Sequence, residues 1–273
     1  MDALLSTIAA LKLELDGLRQ AGEHPAGRRR AGNHEHAVDL ELTYTSNAIE
    51  GNTLTAGETA LVIEHGITIG GKPLRDHLEA IDHYDALRWV RGIANERGAI
   101  NEIDVRSLHR LVMLRSDPAG AGRYADQGRY VLTDQGRHAF PFTAEVPALM
   151  ADFATWLSKA EHTPETASLA HTPETAFLAH TPEAAFLAHL KLVGIHPFND
   201  GNGRTARLLM NLVLLQKGYP PVAVRPQDRP AYIEALQKAQ ADAGNDGPFL
   251  RLLYGRLHDA LLDEIEAHRA VLR

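Results

Sequence analysis

The sequence predicts an all-α fold interrupted by one short β-hairpin. Along most of the 273 residues, apolar side chains recur every three or four positions, and this spacing is the main signal of amphipathic helices. The pattern changes only between Gly120 and Pro141, where a strand-like run, Tyr130 to Leu132, is flanked by glycines. We therefore expect a bundle of helices that carries one hairpin.

An N-terminal helical region is predicted to about residue 100. Leucines and an isoleucine at helical spacing predict a helix over residues 2–20. Glycines, a proline and three arginines then predict a loop over 22–32. Helix resumes over 34–50, and a turn follows at 52–55. The next helices are predicted over residues 56–64, 73–94 and 103–114.

A core region over residues 101–217 and a C-terminal helical pair over 218–273 complete the predicted organisation. The hairpin falls at about 120–142, early in the core region. The remaining helices are predicted over residues 146–159, 181–193, 204–217, 229–242 and 248–271.

A nine-residue unit beginning His-Thr-Pro-Glu is repeated three times over residues 162–188. Nine residues rotate a helix by about half a revolution, so one continuous helix would place neighbouring copies on opposite faces. Pro173 and Pro182 would also clash with the preceding helical turn. The repeat is therefore predicted to be broken helix or loop. Such an insertion beside a core helix permits exchange of that helix between chains, which leaves a homo-oligomer open.

Composition excludes several classes of protein. A net charge of −7 gives no basic footprint for nucleic acid. No apolar stretch approaches the ~20 residues of a membrane span, and the N-terminus does not resemble a signal peptide. The chain has no cysteine, which rules out disulfides and fits a reducing cytoplasm. We expect a cytoplasmic protein that contacts neither membrane nor nucleic acid.

Residues 196–207 carry most of the functional signal and read His-Pro-Phe-Asn-Asp-Gly-Asn-Gly-Arg-Thr-Ala-Arg. Gly201, Asn202 and Gly203 precede an apolar run that predicts a helix. Backbone N–H groups at a helix start lack intrahelical partners and favour phosphate. Arg204 and Arg207, three apart, share a helix face and can grip phosphate oxygens.

Two side chains of the same run supply the remaining chemistry. Asp200 is a hard oxygen ligand suited to a Mg²⁺ ion that also holds phosphates. His196 is the one group of the run that can take a proton near neutral pH. A base, a metal ligand and an anion nest are what phosphoryl or nucleotidyl transfer requires.

This run resembles the active-site motif of the Fic family, His-x-Phe-x-(Asp/Glu)-Gly-Asn-Gly-Arg-x-x-Arg, and matches it at every defined position. The resemblance implies a Fic-type helical bundle that moves AMP from ATP to a hydroxyl of a target protein. It implies that His196 is the base, that Phe198 anchors the loop and that Asp200 binds Mg²⁺. The implied phosphate ligands are Gly201, Asn202, Gly203, Arg204 for the β-phosphate and Arg207 for the γ-phosphate.

The hairpin occupies the place of a flap in the Fic family, just ahead of the catalytic helices. The family's flap binds the backbone of the target by strand pairing. Gly122, Tyr124 and His138 are the target-binding candidates that this resemblance implies, although an ordinary surface loop would fit the same sequence.

A second run, Ser46 to Gly51, resembles the family's inhibitory motif, (Ser/Thr)-x-x-x-Glu-(Gly/Asn). Ser46 and Glu50 are four apart, so they project from one helix face, and Gly51 can end the helix in the left-handed conformation. The resemblance implies that Glu50 pairs with Arg207 and takes the place of the γ-phosphate.

The sequence thus predicts a self-inhibited protein adenylyltransferase that uses Mg²⁺ and ATP and modifies a Ser, Thr or Tyr hydroxyl. Four alternatives are considered, and the first is that the donor is another nucleotide or group, as in parts of the family that these runs resemble. Glu50 could direct water and remove AMP from a modified protein, or the domain could be a nucleotide-sensing module without catalysis. A metal-dependent phosphohydrolase is disfavoured, because no second acidic cluster lies near His196 and Asp200.

Overall fold

Helices dominate the computed structural model, which describes residues 1–21, 25–96, 98–133, 136–160, 173–242 and 244–272. In chain order they are α1 (Asp2–Ala21), α2 (Pro25–Ile49), α3 (Ala56–His65), α4 (Leu74–Ala94), α5 (Glu102–Val112), α6 (Val146–Ala160), α7 (Pro173–Ile195), α8 (Asn202–Gln216), α9 (Arg229–Ala241) and α10 (Gly247–Leu272). Strands β1 (Tyr130–Thr133) and β2 (Gly136–Ala139) pair antiparallel, with Tyr130 opposite Ala139. The predicted fold class, helical with one hairpin, is confirmed.

Helix α8 lies at the centre of the hydrophobic core. Every residue from Arg204 to Leu214 is buried, and the helix packs against α7, α4 and α5. One cluster of buried side chains joins all three predicted regions, from Ile8 of α1 through Leu209 to Leu257 of α10. The start of α8, with its two arginines, is therefore held inside the molecule. No helix among the described ranges is long and apolar enough to cross a membrane.

Side-chain caps explain where two helices around the core begin. The Thr55 hydroxyl accepts from the backbone N–H of Glu58, whose carboxylate accepts in return from the N–H of Thr55. Asn101 and Asp104 form the same reciprocal cap at the start of α5. These bonds satisfy donors that a helix start leaves free, so both starts lie within one residue of the predicted ones.

The predicted loop over residues 22–32 is wrong for most of its length, because α2 begins at Pro25. Proline is favoured at the first helical position, where its missing N–H has no intrahelical partner to lose. The signal that was interpreted as a loop is thus a helix start, and Gly27 and Gly32 lie within the helix.

The prediction for the repeat is also wrong where the structure describes it. Helix α7 runs from Pro173 in the second copy through the third, with Pro182 inside it. One interior proline removes one hydrogen bond, while the Ala, Leu and Glu that fill both copies are strong helix formers. All of the first copy, residues 162–170, lies outside the described residues, as does the start of the second copy.

Candidate active site

The loop between α7 and α8 is closed on itself by one asparagine. The Asn202 side chain accepts from the backbone N–H of Phe198 at 3.0 Å and donates to its carbonyl at 2.8 Å. Both groups are buried, so these bonds satisfy polar atoms that would otherwise be costly. The resemblance assigns Asn202 to the phosphates, whereas its side chain is hydrogen-bonded to the backbone of Phe198 within the loop.

The segment around the hairpin fastens the same loop from outside. The buried Arg129 donates from Nε to the His196 carbonyl at 2.9 Å and from Nη2 to the Pro141 carbonyl at 3.0 Å. The backbone N–H of Ala125 donates to the Pro197 carbonyl at 2.9 Å. Arg129 is a residue that sequence reasoning missed, since nothing in its local pattern points to a contact 67 positions away.

His109 of α5 packs against the loop and is hydrogen-bonded to it. Its ring stacks on Phe198 with centroids 3.6 Å apart. Nε2 lies 3.0 Å from the Asp200 carbonyl, and Nδ1 accepts from the N–H of Gly122 at 3.0 Å. Burial lowers the pKa of His109 to about 4, so the ring is neutral at pH 7, with its proton on Nε2. This residue too has no signal in the sequence.

His196 adopts a backbone conformation that is uncommon outside glycine, with φ at 50°. Strain of this kind is found at functional sites, where the surroundings hold it in place. Its ring stacks on Phe140, with centroids 3.9 Å apart and the planes within 10°. Nδ1 is buried with no hydrogen bond of acceptable geometry among the described atoms.

The protonation state of His196 suits a general base. Burial lowers its pKa to about 4, and the charge of Arg129 adds to this, while the Val193 carbonyl, Glu50 and Asp200 oppose it. The imidazole is therefore neutral at pH 7 and can accept a proton. A neutral ring beside a cationic Arg129 also avoids a buried pair of like charges.

The start of α8 forms the predicted nest. Gly201 has φ at 75°, and an added Cβ there would overlap Met113 and the His109 ring. Both the conformation and the space therefore require glycine. The first N–H groups of α8 have no intrahelical partner and point along the positive end of the helix dipole.

The predicted metal ligand Asp200 and the predicted phosphate ligand Arg204 belong to a group of four alternating charges, which Arg75 and Glu79 complete. Asp200 Oδ2 lies 2.6 Å from Nη2 of Arg75, and its Oδ1 lies 3.6 Å from Nη2 of Arg204. Glu79 Oε1 contacts both arginines, at 2.9 Å from Arg75 Nε and 3.3 Å from Arg204 Nη1. Burial would raise the pKa of Asp200, but Arg204, the Gly201 N–H and Arg75 together lower it. Arg75 and Glu79, both on α4, were missed by sequence reasoning.

These residues fit Mg²⁺ bound together with a nucleotide. Asp200 offers one ionised carboxylate, 48% exposed, at the mouth of the loop. Nε and Nη1 of Arg204 are buried without a well-formed hydrogen bond, although Nη1 contacts Glu79, so the guanidinium still has capacity for an anion. No cluster of three or more His, Asp or Glu ligands occurs in the described part of the chain. Mg²⁺ usually binds through one or two carboxylates with substrate phosphates completing its coordination.

The predicted contact between Glu50 and Arg207 is present in the structure. Arg207 Nη2 donates to Glu50 Oε1 at 2.7 Å and to the Ser46 carbonyl at 2.9 Å, and Nε donates to the Ser46 hydroxyl at 2.9 Å. Gly51 has φ at 95° and ends α2 as expected. An added Cβ at Gly203 would overlap the Glu50 carboxylate, so Glu50 lies directly against the start of α8.

Three buried side chains that the sequence did not reveal surround Arg207. Tyr232 of α9 has its hydroxyl 3.5 Å from Nη1 of Arg207 and 2.8 Å from Nε2 of His189. His83 of α4 is fully buried with Nδ1 3.3 Å from the Thr43 hydroxyl. Burial lowers the pKa of both histidines to about 3, and the charge of Arg207 acts in the same direction.

The structure places the three flap candidates in two locations. Gly122 lies against α5, and Tyr124 packs near Phe198 and donates to Glu102 at 2.7 Å. Only His138 belongs to the hairpin, where it pairs with Val131 of β1 and contacts the Phe140 ring edge-on. Gly122 and Tyr124 thus support the catalytic loop, and their role toward a target stays a prediction.

Comparison with known proteins identifies the family that this chain resembles. A model of the Fic/DOC family matches residues 99–214. The protein adenylyltransferase Fic of Nematostella vectensis is 38% identical over 215 residues, which are 77% of this chain and 45% of that protein. The protein of the same name from Aedes aegypti is 33% identical, over 87% of this chain and 43% of its own length. The chain therefore spans less than half the length of these curated relatives.

Solved structures match along almost the whole chain. A Fic domain containing signaling protein from Bacteroides thetaiotaomicron superposes with a TM-score of 0.82 at 28% identity, covering 97% of both chains. A fragment of Fic-1 from C. elegans gives a TM-score of 0.76 at 30% identity, covering 97% of this chain and 71% of that one. The match extends beyond residues 99–214 and includes the N-terminal helices that carry Glu50.

Proposed function

Because the chain belongs to the Fic/DOC family, we propose that it is a self-inhibited protein adenylyltransferase, which moves AMP from ATP to a Ser, Thr or Tyr hydroxyl of a target protein. One observation carries the proposal. A neutral histidine, a glycine-rich helix start and two buried arginines meet in one loop, and a glutamate from a distant helix pairs with the second arginine. Transfer and its inhibition thus share a side chain.

The transfer step needs a base and a site for the leaving group. The acceptor hydroxyl oxygen attacks the α-phosphorus of ATP while its proton passes to Nε2 of His196. We assign Nε2 as the accepting atom because Nδ1 is buried and closed to an acceptor hydroxyl. The bond from the α-phosphorus to the bridging oxygen breaks, and pyrophosphate leaves. Arg204 and the N–H groups at the start of α8 bind its charge.

Asp200 is the residue that would hold Mg²⁺ on the phosphates, where the ion would offset the charge that develops on pyrophosphate. Its carboxylate is ionised and half-exposed, and the Arg75 side chain that now contacts it is 60% exposed and free to move aside. Exposed ion pairs of this kind contribute little to stability. The Arg75 side chain could therefore give way to Mg²⁺ at Asp200 at a small cost in free energy.

Glu50 inhibits transfer by competing for Arg207. The guanidinium is buried and already donates to Ser46, so it cannot also serve both Glu50 and a γ-phosphate. ATP bound without that contact would hold its α-phosphate out of line for attack. Glu50 is 40% exposed. Its ion pair with Arg207 is therefore weaker than a fully buried one, and the carboxylate can move away from the guanidinium.

Removal of AMP is a second candidate activity of the same site. The Glu50 carboxylate is partly exposed to solvent, and its charge reaches His196, where it opposes the lowering of the pKa. A carboxylate so placed can orient a water molecule toward the phosphorus of a bound AMP ester. Glu50 would then inhibit transfer and promote hydrolysis.

Transfer of label from α-labelled ATP to protein tests the proposal, with wild type, Glu50→Gly and the double variant Glu50→Gly/His196→Ala compared. Label should appear strongly with Glu50→Gly and be absent with the double variant, which is the matched control. Loss of label from premodified protein with wild type, but not with Glu50→Gly, would identify AMP removal. If no variant transfers label although each binds ATP, the nucleotide-sensing alternative holds and the proposal is wrong.

A further inference from the structure

The first turn of α9 contacts Arg207 and the residue that immediately precedes Glu50. Arg229 donates from Nε to the carbonyl of Ile49 at 2.7 Å, and Ile49 is the residue immediately before Glu50. Tyr232 lies 3.5 Å from Nη1 of Arg207. Arg229 and Tyr232 are three apart in a helix, so they share one face.

Arg229 fixes the end of α2. The last carbonyls of a helix lack intrahelical partners and lie at the negative end of its dipole, where a cation is favourable. Ile49 is buried while Arg229 is exposed, so the guanidinium reaches the helix end from the surface. Its contact sets the position of the residue from which Glu50 projects.

Tyr232 orients Arg207 from the opposite side. Burial raises the pKa of the Tyr232 hydroxyl, which is therefore protonated. The neutral His189 can accept that proton at Nε2, 2.8 Å away. The hydroxyl oxygen then keeps its lone pairs for the N–H of Arg207, so a hydrogen-bonded chain runs from α7 through α9 to the arginine.

α9 itself is anchored to the C-terminal helix. Asp228, next to Arg229, forms an ion pair with Arg256 of α10 at 2.5 Å. Arg256 also contacts Asp259 one turn along the same helix. The first turn of α9 is thus held in place independently of α2 and α8.

We propose that the first turn of α9 is a brace that keeps Glu50 and Arg207 in register, with Arg229 and Tyr232 as positioning residues of self-inhibition. The inference rests on the inhibitory role proposed for Glu50. Arg229 acts on Glu50 alone, through the end of α2. Tyr232 acts on Arg207, and so on the γ-phosphate as well as on Glu50.

A double-variant cycle on AMP transfer tests this. Arg229→Gln should raise transfer by about three-fold to ten-fold in the otherwise wild-type chain, which is the net strength of an ordinary hydrogen bond, because Arg229 is exposed to water. The same substitution should change nothing in the Glu50→Gly chain, where no inhibition is left to relieve. Tyr232→Phe should instead lower transfer in the Glu50→Gly chain, because Arg207 loses its orientation.

Two controls separate the brace from general loosening of the fold. Arg225→Gln removes a contact with Glu41 of α2 at 3.2 Å, well before the end of the helix, and should leave transfer unchanged. Arg229→Lys keeps a cation beside the Ile49 carbonyl and should restore most of the inhibition.

The outcomes separate failure of the brace from failure of the proposed inhibition by Glu50. If Glu50→Gly does not raise transfer, inhibition by Glu50 is wrong and the brace falls with it. If Glu50→Gly raises transfer but Arg229→Gln has no effect, or has equal effects in both chains, the brace alone is wrong. An Arg225→Gln variant as active as Arg229→Gln would also overturn it, because any loss of contact to α2 would then suffice.

Discussion

The catalytic loop and the inhibitory segment meet at Arg207, but they are held in different ways. The loop, residues 196–207, is bonded through its backbone to Asn202, Arg129 and His109, which are buried. The segment proposed to inhibit, residues 46–51, is largely buried as far as Ile49 and then exposes Glu50. The loop is built as a fixed site, whereas Glu50 is a removable side chain at a fixed helix end.

Under the proposed mechanism, this contrast would let one site be complete and inhibited at the same time. The side chains proposed to act in transfer already lie around the loop, and Glu50 occupies the place proposed for the γ-phosphate beside Arg207. The proposed inhibition would then be relieved by moving one partly exposed carboxylate, at a cost that is small compared with the stability of the loop.

The largest effect in this comparison should come from His196 on the loop. In the Glu50→Gly chain, His196→Ala should lower the rate of AMP transfer by about 10²–10⁴-fold, which is the usual contribution of a general base. ATP binding should persist, since the base acts on the acceptor hydroxyl. Calorimetric titration with ATP beside the transfer assay measures both.

His65→Ala, at the exposed end of α3, is the matched control and should keep both ATP binding and transfer. A variant at His196 that lost ATP binding together with activity would show that this residue holds the loop instead of taking a proton.

Asn202 should show that the loop depends on its internal bonds. Asn202→Ala leaves the buried N–H and carbonyl of Phe198 without partners, so the free energy of unfolding should fall by about 1–3 kcal/mol. Asn199→Ala removes an exposed bond to Asp126 and should change it by less than about 0.5 kcal/mol. Denaturant melts of both variants compare them, and equal losses would contradict the proposed role of Asn202.

Acid should lower the free energy of unfolding through buried histidines around the loop, at pH values above those at which carboxylates become protonated. Burial lowers the pKa of His109 and His196 to about 4 and of His83 and His189 to about 3, against about 6.5 when unfolded. Between these values the unfolded chain binds more protons. Stability is therefore full above pH 6.5 and is lost as the pH falls toward 4, by up to about 1.4 kcal/mol per pH unit for each histidine.

Thermal melts between pH 7.5 and 5 measure this loss, above the range in which ordinary carboxylates titrate. His189→Gln should make the dependence on pH shallower. A melting temperature that stays constant from pH 7.5 to 5 would contradict burial of the four neutral rings.

Sequence predicted what is local in the chain. Residues 196–207 lie together in the sequence, and the spacing of Ser46, Glu50 and Gly51 is set by one helix end, so a motif could reveal both. Helix positions followed from apolar spacing and from caps such as Thr55. The two errors, at residues 22–32 and in the repeat, arose because Pro25 and Pro182 were both interpreted as breaks, whereas one begins a helix and the other lies within it.

The contacts that position the site could not be predicted in this way. Arg129, His109 and Tyr232 reach the loop from elements far away in the chain, and their neighbours in the sequence carry no pattern that marks them. The side chain of Asn202 satisfies the backbone of Phe198 instead of a phosphate, which depends on how the loop turns. Such roles follow from tertiary packing and are visible only in three dimensions.

The central claim is that Glu50 and the γ-phosphate of ATP compete for Arg207, and the affinities of ATP and ADP test it most directly. With Mg²⁺ present, calorimetry on the wild-type chain should give nearly equal dissociation constants for the two nucleotides, because the γ-phosphate gains no contact with Arg207. In Glu50→Gly, ATP should bind about ten-fold more tightly than ADP, as one charged hydrogen bond would provide. A ratio of the two constants that is the same in both chains would contradict the claim.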